Sequence, residues 1–301
     1  MGENNKIVTI SEAAASIPDG AHIALGGFTI ARNPIAMVHE LIRQNKRDLT
    51  VSQYIGAMDA ELLIGAGAVK KYYYAGGTLD RFGPLYNTDR AIETGSIDVS
   101  EYSGLSMAMK YLGGSLGLPC IPIQSLLGSD MLGELLKKEE AEAQLSSCPF
   151  TGEKMVMLKT LMPDVAIVHV PRCDCEGNAL ITGPRWEEDA AKAADKIIVV
   201  ADEIIDTEMT PFLVEQVRIP ACRVSMVVHQ PYGAHPTSVY GVYDYDYDHL
   251  KLFISQAKTE QGMQEYLDRY VRGTSDFWEY LDMVGGLEKM SRIKADLLKN
   301  Y

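Results

Sequence analysis

Apolar residues along this chain follow two rhythms. Short unbroken runs that end in glycine alternate with stretches where apolar positions recur every three or four residues. Ile23-Ala24-Leu25 is the first such run, closed by Gly26-Gly27, and Pro34 then opens a helical spacing at Ile35, Val38, Leu41 and Ile42. That handover predicts a parallel strand followed by its crossover helix. The same logic predicts strands over 49–54, 69–74, 97–102 and 120–123. Helices are expected over 60–64 and from Ser103-Gly104 to Leu112, the latter broken by Gly113 and Gly114. Ser11 reads as a helix start, with Pro18 as the stop, and 80–87, rich in Gly, Pro and Asn, reads as a loop.

The rhythm changes once and then returns. Residues 134–142 predict a charged amphipathic helix and 146–152 an exposed connection, which makes 133–153 the place for an insertion or seam. Beyond it, 165–170 is an apolar strand interrupted only by His169, and a turn over 174–178 leads into Ala179-Leu180-Ile181. A helix over 187–194, a strand over 197–201, helix or loop over 203–208 and a strand over 224–229 follow. A long helical pattern with breaks at Gly273 and Gly285-Gly286 fills 250–301. Strands separated by helices through short glycine connections predict an α/β fold. The expectation is one domain over 1–301: an open, mostly parallel sheet flanked by helices, with a helical C-terminal extension.

Composition narrows the setting. No apolar run approaches the roughly 18 residues that suggest a membrane span, and no basic-then-apolar leader opens the chain, so a cytoplasmic protein is expected. Five cysteines without a secretory context suggest reduced thiols. Cys173-Asp174-Cys175 lacks further ligands at loop spacing, so no metal is expected. The net charge of −13 argues against general nucleic-acid binding, which depends on neutralising phosphates. An anionic ligand would have to be met by helix N-termini and local cations, of which Arg32, Arg43, Lys46, Arg47, Lys70, Lys71 and Arg81 are the supply.

Glycines at strand ends are the first candidates for chemistry. Gly26-Gly27 and Gly76-Gly77 let the backbone turn sharply and let a ligand reach main-chain N–H groups, and open α/β sheets collect ligands at these carboxyl ends. The same residues also suit a tight turn without a ligand. Walker and dinucleotide glycine patterns are missing. His235, in a Pro- and Gly-rich loop after a strand, reads either as a ligand contact or as a histidine that braces its loop. Glu101, at a strand end, reads either as a nucleophile or base or as a carboxylate in water.

The run Asp19-Gly20-Ala21-His22-Ile23-Ala24-Leu25-Gly26-Gly27-Phe28-Thr29-Ile30-Ala31-Arg32-Asn33-Pro34 resembles the glycine-rich signature of the family I coenzyme A transferases. It departs from that signature only at Arg32, where the common pattern has glycine; arginine before Asn-Pro is similar to the α chains of the glutaconate CoA-transferase branch. The turn Asp174 to Asn178 and the segment Pro231-Tyr232-Gly233-Ala234-His235-Pro236, followed by Tyr240-Gly241 and Tyr243-Asp244-Tyr245-Asp246, resemble the same branch. The resemblance runs from near residue 7 to at least 255.

What the resemblance implies is an α subunit. Family enzymes pair two homologous chains, and the attacking glutamate belongs to the β chain in a Ser-Glu-(Asn or Ser)-Gly motif. Here only Ser100-Glu101-Tyr102-Ser103-Gly104 approaches it, with one residue too many. The implied site has Gly26, Gly27, Phe28, Gly76, Gly77 and Thr78 as the substrate and oxyanion loops, and Arg32, Ser103, Asn178 and His235 as contacts to substrate or CoA. Glu101 is the one catalytic candidate on this chain. The implied partners are a homologous β subunit in an α2β2 or larger assembly, an acyl-CoA, and a carboxylic acid, expected to be dicarboxylic. CoA thioester is a substrate and no cofactor is implied. The alternatives are a related ring-opening acyl-CoA hydrolase that uses Glu101, and a metabolite-binding sensor.

Overall fold

A computed structural model describes residues 4–183 and 185–295; the end of the C-terminal helical pattern, 296–301, lies outside the described residues. Its strands are β1 (Ile7–Val8), β2 (His22–Leu25), β3 (Leu49–Gln53), β4 (Val69–Tyr74), β5 (Asp98–Glu101), β6 (Cys120–Ile123), β7 (Ala143–Ser147), β8 (Lys154–Lys159), β9 (Val165–Asp174), β10 (Ala179–Leu180), β11 (Lys196–Ile205), β12 (Val217–Ile219) and β13 (Met226–His229). The main sheet is parallel in the order β1-β13-β11-β9-β2-β3-β4-β5, with β10 and β12 attached antiparallel. Strands β6, β8 and β7 make a small antiparallel sheet of their own.

Alternation along the central strands explains why both sheet faces are covered. Ile23, Leu25, Val51, Tyr72, Tyr74, Ile167, Ile198 and Val200 face one core; Ala24, Tyr73, Ala166, Val168, Val170, Val199 and Ala201 face the other. The first core is roofed by the helices Ile35–Arg43 and Met58–Gly65 together with the C-terminal helices, which contribute Leu250, Phe253, Met263, Tyr266, Phe277 and Tyr280. Arg43 ties the two helical groups together, since its guanidinium donates to the carbonyls of Val271, Thr274 and Asp276 and so is not available to an anionic ligand. The second core is closed by the helices Gly104–Ser115 and Glu188–Ala193 and by the small sheet. No helix among the described residues is long and apolar enough to cross a membrane.

Several local expectations are corrected by tertiary contacts. The first helix is capped by Thr9, not Ser11, in a capping box with Glu12. The stretch 80–87 is only partly a loop, because a helix starts at Tyr86 and runs to Thr94. Its free N–H groups are met from another helix: buried Glu61 accepts the N–H groups of Asn87 and Thr88 and the Thr88 hydroxyl at 2.6–2.9 Å. Gly113 and Gly114 do not break their helix, which continues to Ser115. They let it lie against the chain after β8, since a Cβ at Gly114 would sit 1.9 Å from the Leu161 carbonyl oxygen.

The stretch read as a charged helix and seam also differs. The helix is Asp130–Lys137, capped by Ser129, and 143–147 is strand β7. Glu142 points inward because burial of its carboxylate is offset by Lys110 at 3.0 Å and by the Tyr73 and Tyr102 hydroxyls at 2.8 and 2.9 Å. Burial pushes the Lys110 ammonium down to about 8, against the pull of Glu142. Residues 203–205, read as helix or loop, extend β11 because they pair with Arg172, Cys173 and Asp174 of β9.

Candidate active site

Strand order locates the site. From β2 the chain steps outward through β3, β4 and β5, whereas from β9 it steps the other way through β11 and β13. The direction reverses between β2 and β9, and the carboxyl ends of such a switch point are where doubly wound sheets bind ligands. The turn after β2 fills that position. Gly26 still belongs to the sheet: its N–H donates to Ile167 O at 2.8 Å, and a Cβ there would press on Val168. Gly27 adopts φ +91°, and a Cβ would lie 2.8 Å from the carbonyl oxygens of Ala31 and Arg32. Phe28 and Ala31 then exchange both backbone hydrogen bonds, which closes the loop. The Gly27 N–H, in a buried residue at the switch point, makes no hydrogen bond among the described residues. A buried donor left so costs about 1–3 kcal/mol.

The second glycine pair braces the first. Gly76 takes φ +86°; Gly56 N–H donates to Gly76 O at 2.9 Å and Thr78 N–H donates to Gly56 O at 3.0 Å. A Cβ at Gly77 would sit 2.2 Å from the tip of the Leu85 side chain, which would have to shift to admit it. Thr29, at the tip of the first turn, donates to Asp80 at 3.2 Å, joining the two loops.

Arg32 is neither a surface residue nor exposed at the switch point. It is 1% exposed, holds φ +55°, and its Nε donates to Glu187 Oε1 at 2.8 Å. The positive φ explains why glycine can stand at this position in the family signature. Glu187 also accepts the Trp186 N–H at 2.8 Å, so the pair ties the turn after β2 to the loop before helix Glu188–Ala193. Trp186 lies over both Phe28 and Tyr54, with ring centroids 5.3 and 5.0 Å away. Those two rings are 6.4 Å apart, so they sit side by side under one face of the indole. The indole-bearing residue is 44% exposed.

Beneath the turn, Asp59 is fully buried and accepts both contacts of Gln53 Nε2, at 2.9 and 2.8 Å, and a longer one from Asn33 Nδ2 at 3.4 Å. Burial pushes its carboxyl up to about 7 against those hydrogen bonds. It links the end of β3 to the residue after Arg32.

The remaining sequence candidates are dispersed. Glu101 ends the edge strand β5, exposed, three strands and about 14 Å from the turn after β2. Ser103 caps helix Gly104–Ser115 by accepting from Ser106 N–H. Asn178 sits in the turn after β9, its Nδ2 donating to Asp174 at 2.7 Å and its Oδ1 accepting from Ala221 N–H at 3.1 Å. His235 is brought nowhere near solvent. It is 0% exposed, its ring nitrogens bond Tyr280 Oη at 2.9 Å and Asp246 Oδ2 at 3.1 Å, and burial holds its pKa below the usual range. It braces the closing segment against the C-terminal helices. Sequence reasoning overlooked Tyr54, Asp59, Trp186 and Glu187, and nothing local in the sequence pairs position 32 with 187. Among the described residues no group of three His, Cys, Asp or Glu side chains is placed to hold a metal ion.

With that geometry in place, comparison with known proteins gives the class: residues 7–230 match the family described as Coenzyme A transferase, and the chain belongs to that family. A 3-oxoadipate CoA-transferase subunit from Pseudomonas knackmussii is 32% identical, over 91% of this chain and 96% of its own length. A glutaconate CoA-transferase subunit from Acidaminococcus fermentans is 33% identical, over 93% of this chain and 92% of its own. Each of these two relatives is thus named as one subunit of its enzyme. The crystal structure of the glutaconate enzyme superposes with a TM-score of 0.93 at 32% identity over 98% of both chains. An uncharacterised protein of Archaeoglobus fulgidus is 34% identical over 96% of this chain, which spans only 65% of that relative's length. One subunit of the cholesterol ring-cleaving hydrolase of Rhodococcus jostii is 29% identical over 93% of this chain and 96% of its own.

Proposed function

We propose that this chain is the α subunit of a two-chain CoA-transferase that moves CoA between an acyl-CoA and a carboxylic acid, with dicarboxylic acids preferred. It acts in the cytoplasm, with CoA thioester as substrate and no further cofactor. The observation that carries the reading is the Gly27 N–H at the switch point of the sheet, which is unpaired among the described residues. A donor of that kind, aimed at an oxyanion, lowers an acyl-transfer barrier by about 3–4 kcal/mol. Of the carboxylates near it, Asp59 is buried against Gln53 and Asn33, Glu187 is buried in its ion pair with Arg32, and Glu101 stands exposed three strands away. The nucleophile therefore comes from a homologous β subunit that closes over the switch point.

The chemistry runs in two halves. The partner's glutamate carboxylate attacks the acyl-CoA carbonyl and expels CoA thiolate, leaving an acyl–glutamyl anhydride. The thiolate then attacks the glutamyl carbonyl, releasing the first acid and leaving a glutamyl–CoA thioester, and the second acid takes the CoA by the reverse sequence. Water must be kept from the anhydride. The stacked Phe28, Tyr54 and Trp186 line this side of the switch point with apolar surface for that purpose.

The relationship to a hydrolase subunit favours a second reading, ring-opening hydrolysis with Glu101 as base. The exposed position of Glu101 on an edge strand weighs against it. One experiment separates these readings: the chain is purified alone and with the companion chain from the adjacent reading frame. Each preparation is incubated with acyl-CoA and an acceptor acid, then reduced with borohydride. Exchange only by the complex, with a reduced glutamate on the companion, is the expected result. Exchange by the isolated chain, or labelling of Glu101, overturns the proposal.

A further inference from the structure

Strands β9 and β11 run far beyond their neighbour: β2 ends at Leu25 opposite Ile167, while β9 continues to Asp174 and β11 to Ile205. The overhanging end carries residues 207–216, two short 3-10 turns that meet at a kink at Leu213. None of these residues is buried, and Met209, Phe212 and Val214 are 51%, 82% and 66% exposed. Polar contacts hold the segment. Asp206 accepts Glu208 N–H at 3.0 Å, Thr210 donates its hydroxyl to Asp174 Oδ2 at 2.8 Å, and Gln216 is fixed by Arg172 at 2.8 Å and by Ile181 N–H at 3.1 Å. Asp174 is itself set by the turn that follows β9, accepting the N–H groups of Glu176, Gly177 and Asn178 at 2.8–3.1 Å. The turn from Asp174 to Asn178 thus orders a segment whose apolar side chains point away from the molecule. Large apolar groups exposed on a segment ordered in this way mark an interaction surface.

We propose that residues 207–216 form a docking prong, with Phe212 as its anchor, for a chain different from this one: the partner subunit. The inference rests on the two-chain reading above. Charge selects the occupant. Asp206 and Glu208 precede the apolar residues in the chain and Glu215 follows them, and the whole chain carries −13. A second copy related by a two-fold axis would set these acids against their own equivalents, whereas an unlike chain with a basic rim around an apolar pocket would complement them. Position supports the same choice, because β9 and β11 project from the carboxyl edge of the sheet that also bears the turn after β2.

The test is co-expression of the chain with its companion, followed by affinity capture and titration of the purified partners. Phe212→Asp should weaken association at least about thirtyfold, as loss of an aromatic hot spot does. Val214→Asp should weaken it less. Phe150→Asp, at a still more exposed position in the turn between β7 and β8, should leave it unchanged. All three should keep the wild-type circular dichroism and thermal midpoint, since exposed substitutions rarely cost more than a small fraction of the total stability. A wild-type complex that survives Phe212→Asp overturns the prong while leaving the two-chain reading intact. A wild-type chain that never captures the companion overturns both. An isolated chain that dimerises through Phe212 overturns the choice of occupant.

Discussion

Replacing Arg32 tests the tie between the turn after β2 and the Trp186 loop. The side chain is 1% exposed and its Nε lies 2.8 Å from Glu187 Oε1, whose residue is 2% exposed. Arg32→Ala leaves a buried carboxylate without its cation, and breaking such a pair typically costs about 3–5 kcal/mol. Arg32→Gly makes the same loss but relaxes the φ of +55°. That relief is about 1–2 kcal/mol for a non-glycine residue in the left-handed region, less about 0.4–1 kcal/mol for the greater freedom of glycine in the unfolded chain. Glycine should therefore be milder than alanine by up to about 1.6 kcal/mol. Arg32→Ala combined with Glu187→Gln removes the stranded charge and should recover much of the loss. Urea unfolding followed by circular dichroism reads the stabilities. Tryptophan fluorescence reads whether Trp186 leaves Phe28 and Tyr54, since only one other tryptophan, Trp278, contributes. A cost below about 1 kcal/mol for Arg32→Ala, or no recovery in the double variant, would refute the reasoning. In the assembled enzyme the same variant should lower kcat through a displaced turn, and not only raise KM for dicarboxylic substrates.

Two further outcomes follow from other positions. Glu101→Gln in the assembled complex should cost no more than about tenfold, or about 1.4 kcal/mol of barrier; a loss beyond about a thousandfold, the scale of general-base removal, would favour the hydrolase reading. Asp59 holds its proton to about pH 7 when folded but loses it near 3.8 when unfolded, so its favourable contribution is complete below about pH 4 and is lost as pH rises through about 7. Asp59→Asn cannot ionise, and its stability relative to wild type should rise by about 2–3 kcal/mol between about pH 5 and pH 8 in chemical unfolding; a difference flat in pH would show that the buried carboxyl is not protonated.

Much of this molecule is determined locally. Runs such as Ile23-Ala24-Leu25 and 197–201, buried on both faces, have no other stable use than as central parallel strands, and the glycines that follow the first of them must turn the chain. The sheet, its flanking helices and the turn after β2 were legible for that reason. The signature that contains Arg32 also placed the chain in its family. What the sequence could not express are partnerships made at long separation. The helix from Tyr86 has no local cap, and its N–H groups are satisfied by Glu61, 26 residues before Asn87. Glu142 reads as a surface carboxylate and is buried because Lys110 waits inside. Gly113-Gly114 reads as a break and is a contact surface. His235 reads equally as a ligand contact or a loop brace until Tyr280 and Asp246 take both its nitrogens. Arg32 reads as a free cation until Glu187 arrives from 155 positions away. Local propensity depends on each residue and its immediate neighbours, whereas the cost of burying a charge or a hydrogen-bonding group is settled only by the partner that folding brings to it.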